Sequence, residues 1–110
     1  MKTGDIVIIP FPFAELTDIK ARPAVVITET KDKYRDLVLS AISSQFHDPA
    51  NEAEIMIEPD PGNGLRTKSI IKVDRIFTLK KEKLISNIGR LNVQQMDKFK
   101  YVFRSLVEMK

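Results

Sequence analysis

Apolar residues fall in short runs over most of the chain and at helical spacing only near its end. After the turn pair Gly4-Asp5, the β-branched run Ile6-Val7-Ile8-Ile9 reads as a strand, followed by Pro10-Phe11-Pro12-Phe13. Proline donates no ladder hydrogen bond, so the chain is expected to leave the sheet at Pro10, with the aromatics on a loop. Arg22-Pro23-Ala24-Val25-Val26-Ile27 reads as a second strand, Arg35 to Ser43 as a third, and Glu54 to Glu58, with clean alternation, as a fourth. The stretch from Phe46 to Asn51 reads as an exposed loop, and Pro59 to Gly64 is a turn cluster. Ser69 to Asp74 and Arg75 to Thr78 supply one or two more strands. The period then changes: Val93, Met96, Phe99, Val102, Phe103, Leu106 and Val107 trace one side of a helix. Asn92 with Gln95 three residues on has the form of a capping box at its start. Several short strands and one terminal helix predict an α+β protein, mainly β, built as a small, curved antiparallel barrel.

Length and composition narrow the chemistry. The 110 residues suit one domain over 1–110, near the size at which oligomerisation often adds buried surface. With no transmembrane-length apolar run and no signal peptide pattern, a cytoplasmic protein with no membrane partner is expected. The chain has no cysteine and 1 histidine, which excludes thiolate nucleophiles and disulfides and argues against a metal site. No cofactor is expected. The net charge of +3 hides an asymmetry: residues 1–60 carry 6 basic and 11 acidic side chains, residues 61–110 carry 12 and 4. The basic series Arg66, Lys68, Lys72, Arg75, Lys80, Lys81 and Lys83 fits either a phosphate backbone or an acidic protein segment, and equally a solvated lysine-rich face.

Four pieces of the sequence carry a resemblance. They are Gly4-Asp5-Ile6-Val7 with Pro10 to Phe13, Arg22-Pro23 to Ile27, Ala41-Ile42-Ser43-Ser44-Gln45, and Val73-Asp74-Arg75-Ile76-Phe77-Thr78. In that order the chain resembles the MazF/PemK-like toxins of bacterial type II toxin–antitoxin pairs over nearly its whole length. The resemblance implies an SH3-like barrel, a homodimer, metal-independent cleavage of single-stranded RNA at short sequences, and neutralisation by a cognate antitoxin.

Such cleavage uses the neighbouring ribose hydroxyl as nucleophile. The protein must take its proton, stabilise the phosphorane and protonate the leaving oxygen. Arg22, always charged and forked, suits the phosphorane and not the role of base; its alternative is a surface ion pair. Ser43 stands where the family's motif usually has threonine and keeps the hydroxyl for a phosphate oxygen; its alternative is a strand-end serine bonding its own backbone. Gln45 shares a face with Ser43 if the strand persists, and its amide suits a base edge. Lys72 and Asp74 match a basic-x-acid pair of the family, with lysine in place of arginine. Strand period puts both on one face, with Asp74 as candidate base and Lys72 on phosphate, or else as an ordinary exposed strand face. Arg75 follows as a base or phosphate contact. Phe11 and Phe13 suit stacking on RNA bases or barrel closure, and Lys20 suits phosphate or solvent. His47, in a polar loop, reads as an ordinary surface histidine with a minor prospect of proton transfer.

These residues point to an mRNA-cleaving toxin acting by 2′-OH transesterification, with Arg22, Ser43 and Asp74 as catalytic residues and Phe13, Lys20, Gln45, Lys72 and Arg75 binding RNA. Two other readings stay open: a non-catalytic nucleic-acid-binding barrel, and a topoisomerase-inhibiting toxin of related fold.

Overall fold

The computed structural model describes residues 1–12 and 19–108. Six antiparallel strands run β1 (Asp5–Pro12), β2 (Ile19–Glu29), β3 (Leu37–Ser43), β4 (Glu54–Ile57), β5 (Ser69–Leu79) and β6 (Ser86–Arg90), followed by α1 (Val93–Ser105). They form one sheet in the order β4-β5-β3-β2-β1-β6.

β1 does not stop at Pro10. It continues to Pro12, with Pro10 opposite Ala21 and Phe11 opposite Lys20. The reason lies on the other side of β1, where β6 pairs only as far as Ile8. Beyond Ile8 the strand is an edge, where prolines cost no ladder bond on the open side. The expected long loop thus shortens, and Phe13 lies outside the described residues. β6 was not anticipated at all. Its sequence Ser-Asn-Ile-Gly-Arg has neither alternation nor β-branched enrichment, and its pairing with β1 is what makes it a strand.

The central strands are apolar on both faces, which accounts for the unbroken runs in β1 and β2. Ile6, Val25, Ile42, Ile55, Ile57, Ile71 and Val73 pack with Phe99 and Val102 of α1 in one core. Val7, Ile9, Ala24, Val26, Leu37 and Leu39 form a second, bordered by Phe11, Phe77, Leu79 and Leu84. Neighbours such as Ile6 and Val7 fall in different cores because successive strand residues point to opposite faces.

α1 begins as expected. Asn92 Oδ1 accepts from the Gln95 N–H at 2.8 Å while Gln95 Oε1 accepts from the Asn92 N–H at 2.9 Å. Phe99 and Val102 are its buried residues, with Met96, Phe103 and Leu106 packed around them. Val93 and Val107, read from spacing as part of that face, are exposed.

Strand pairing does not close the barrel. The turn cluster after β4 does, by lying against β6: the Arg90 N–H donates to the Gly62 carbonyl at 2.9 Å. Asn63, fully buried, holds that turn together. Its Nδ2 donates to the Glu58 carbonyl at 2.8 Å, and its Oδ1 accepts from the N–H groups of Asp60 at 3.1 Å and Leu65 at 2.9 Å. Gly89 permits the approach, since a Cβ there would overlap the Gly62 carbonyl oxygen and the Asn63 backbone.

β5 carries the feature that shapes the site. From Leu37↔Leu79 to Ser40↔Ile76 it pairs with β3 in one register, then resumes at Ala41↔Lys72, so residues 73–75 are extra. This wide bulge has its backbone satisfied at Val73, whose N–H donates to the Ala53 carbonyl at 3.0 Å and whose carbonyl accepts from the buried Ser40 hydroxyl at 2.9 Å.

Candidate RNA-cleavage groove

Three cavities adjoin, each sharing lining residues with another. The first, about 170 Å³, is lined by Phe11, Arg22, Ser43, Gln45, Lys72, Arg75 and Phe77 among others. A second, about 160 Å³, shares Arg22, Pro23 and Ile42 with it and adds Arg66 and Thr67 from the chain before β5. A third, about 810 Å³, shares Gln45 and Lys72 with the first and extends to Phe46, His47, Asn51 and Glu54. Together they make up the groove, with Arg22 lining both smaller ones and Lys72 lining the first and the largest.

β2 places Arg22 opposite Ile9 and next to Pro23, and its side chain is half-buried. β3 ends at Ser43, whose hydroxyl donates to the Gln45 carbonyl at 2.9 Å and accepts from the Gln45 N–H at 3.1 Å. That is the backbone-bonding arrangement weighed for this serine from the sequence, yet the side chain also lines the cavity. The hydroxyl can rotate to donate to a ligand oxygen instead of the Gln45 carbonyl. Phe11 meets Phe77 edge-on, with ring centroids 5.6 Å apart, forming an aromatic wall.

Lys72 lines the groove and Asp74 does not. Ile71 and Val73 are both buried in the first core, as the strand period predicts, but residues 73–75 are unpaired with β3, and Asp74 stands in that unpaired stretch. Lys72, Arg75 and Phe77 line the first cavity, whereas Asp74 is exposed and lines none of the three. An unbroken strand would set Lys72 and Phe77 on opposite faces. Lys20 is exposed beside the groove on β2 and lines none of the cavities.

His47 joins the groove rather than standing apart, lining the largest cavity with Gln45, Glu54 and Lys72. Glu54 and Arg66 are groove residues that sequence reasoning did not single out for a site. Glu54 was visible only as one polar position of an alternating strand, and Arg66 as one member of a basic series. Among the described residues, no three or more His, Asp or Glu side chains come together as a metal cluster.

Residues 2–107 match the model of the PemK-like, MazF-like toxins of type II toxin–antitoxin systems. The chain belongs to that family. Its toxins are endoribonucleases. No curated protein sequence matches the chain. Among solved structures, it is similar to an endoribonuclease in complex with its cognate antitoxin from a mycobacterial species, with 16% identity and a TM-score of 0.71, covering 100% of this chain and 97% of the other. It is also similar to the Mycobacterium tuberculosis toxin MazF-mt6, with 18% identity and a TM-score of 0.67, covering 94% of this chain and 98% of the other. At these identities the likeness is one of fold: a mostly antiparallel, barrel-like sheet with a C-terminal helix, as the sequence predicted. No helix among the described residues is long and apolar enough to cross a membrane.

Proposed function

We propose that this toxin cleaves single-stranded mRNA in the groove, without metal, by attack of a ribose 2′-OH on the adjacent phosphate. The reading rests on the position of Arg22, which lines both smaller cavities, with Ser43, Lys72 and Arg75 converging on one of them. Three cations and a hydroxyl around one small space suit a phosphorane, whose extra negative charge they stabilise more strongly than that of the ground state. The 2′-oxygen forms a bond to phosphorus as the bond to the 5′-oxygen breaks, leaving a cyclic phosphate and a free 5′-hydroxyl.

Proton transfer needs a side chain that can accept a proton from the 2′-OH and return one to the leaving oxygen. Asp74, the candidate base from the sequence, stands outside the cavities. We assign proton transfer to His47, whose imidazole lines the groove with Gln45 and Lys72. Gln45 contacts RNA bases, and Arg66 joins Lys72 and Arg75 as a phosphate contact. The family supplies the rest: a homodimer in the cytoplasm, RNA lying across paired barrels, and a cognate antitoxin whose acidic segment occupies the same basic groove. A mycobacterial structure of the same fold is a complex with its antitoxin.

The test is incubation of antitoxin-free protein with a long unstructured RNA in chelator, followed by analysis of the ends. Cyclic phosphates appearing at defined sites, and lost with Arg22→Ala, are the expected result. No cleavage by well-folded protein would leave a non-catalytic RNA-binding barrel instead.

A further inference from the structure

We infer that the 810 Å³ cavity is a guanine subsite beside the scissile phosphate, and that Glu54 selects the base. This rests on the groove being an RNA site.

Glu54 is the one carboxylate among the residues lining the three cavities. It lies on β4 directly opposite Lys72 of β5, in a groove whose other acidic or basic chains are arginine, lysine and His47. An acid in a phosphate channel repels the backbone it borders, so its chemistry suits a different part of the ligand. One hydrogen bond orients its carboxylate, and a backbone bond ties the same two residues. Glu54 Oε1 accepts from the Asn51 N–H at 3.0 Å, and the Glu54 N–H donates to the Asn51 carbonyl at 3.1 Å. Each carboxylate oxygen accepts more than one hydrogen bond, so Oε1 and Oε2 together still offer a pair of adjacent acceptors.

Guanine is the base that matches that pair. Its N1–H and N2 amino group are neighbouring donors on the Watson–Crick edge. Adenine and cytosine place an acceptor nitrogen beside their amino group, and uracil flanks its single N–H with two carbonyls, each facing a carboxylate unfavourably. Unpaired RNA bases are read on these edges while stacked on aromatic side chains, and Phe46, half-buried in the same cavity, supplies such a ring. Gln45 and Lys72 line both this cavity and the one holding Arg22 and Ser43. The guanine therefore belongs to a nucleotide next to the cut.

Glu54→Gln separates recognition from a purely structural role. The glutamine carbonyl keeps the acceptor for the Asn51 N–H, while its amide turns the second acceptor into a donor. Binding is measured with short 2′-O-methyl RNAs, which cannot be cleaved, varying one position at a time. The wild type is expected to favour guanine at one position by roughly tenfold or more, and to lose most of that preference when inosine, lacking the N2 amino group, replaces it. Glu54→Gln is expected to melt as the wild type does and bind guanine and inosine alike. Absence of guanine preference in the wild type, or an unchanged preference in a folded Glu54→Gln, would overturn the inference. Guanine-selective binding without cleavage of ordinary RNA would instead overturn the catalytic reading and leave guanine recognition by Glu54 standing.

Discussion

The Ser40 hydroxyl donates to the Val73 carbonyl at 2.9 Å, across the point where β3 and β5 change register. Both residues are fully buried. A carbonyl displaced from its ladder by the bulge thus finds a donor, and the bulge brings Arg75 and Phe77 into the cavity with Lys72. Ser40→Ala leaves that carbonyl without the hydroxyl, at a cost of about 1–3 kcal/mol. The expected outcome is a lower midpoint in urea unfolding, together with weaker RNA binding in protein that remains folded.

Arg22→Ala is expected to lower the cleavage rate by roughly 10²–10³, the effect of removing one donor aimed at developing charge. Arg22→Lys should recover only part of it, because the ammonium keeps the charge without the planar fork. Single-turnover rates on one RNA, with circular dichroism to confirm folding, separate this from a loss of structure.

Ser43→Thr should retain cleavage and the turn to Gln45, since the hydroxyl is preserved and the added methyl restricts its rotamer. Ser43→Ala should slow the reaction by about tenfold, as expected from losing one hydrogen bond of about 1 kcal/mol or slightly more. The two rates measured side by side check both statements.

His47 and Asp74 are distinguished by a pH–rate profile. His47→Gln should slow cleavage by about 10²-fold and remove one limb of the profile. Asp74→Asn should leave both the profile and the rate within about twofold, as for an exposed side chain outside the chemistry. The reverse pattern would return the proton-transfer role to Asp74. The groups sharing the cavity with His47 are Glu54 and Lys72, and Asp48 neighbours it in sequence, so the profile of Glu54→Gln serves as the control for the carboxylate.

Gly89→Ala should destabilise the protein by about 1–3 kcal/mol, because the new methyl meets backbone at Gly62 and Asn63 rather than a side chain able to move aside. Leu65 and Arg66, just beyond that turn, line a groove cavity, so RNA affinity should fall along with the melting temperature.

Much of this was legible from residue pattern. The β-branched runs of β1 to β5 and the Asn92–Gln95 capping box are local signals and gave the right elements. Arg22, Ser43, Gln45, Lys72 and Arg75 were named from motif, and the structure brings them to one cavity. What the pattern hid depends on pairing between distant strands. β6 is a strand because β1 lies beside it, β1 crosses two prolines because β6 ends early, and Asp74 leaves the groove because β3 skips residues 73–75. Likewise, His47 and Glu54 line one cavity because β4 pairs with β5 at Lys72 and the loop after β3 borders the same space. No spacing in the chain announces such a contact.

Residues 73–75 of β5 are unpaired with β3, while each flank is held by its own β3 partners. A residue added to or removed from this stretch therefore leaves both flanks in register, and every flanking side chain keeps its face. Length changes at this one point can remodel the rim around Asp74 and Arg75 while sparing Lys72 and Phe77 and the sheet beneath them.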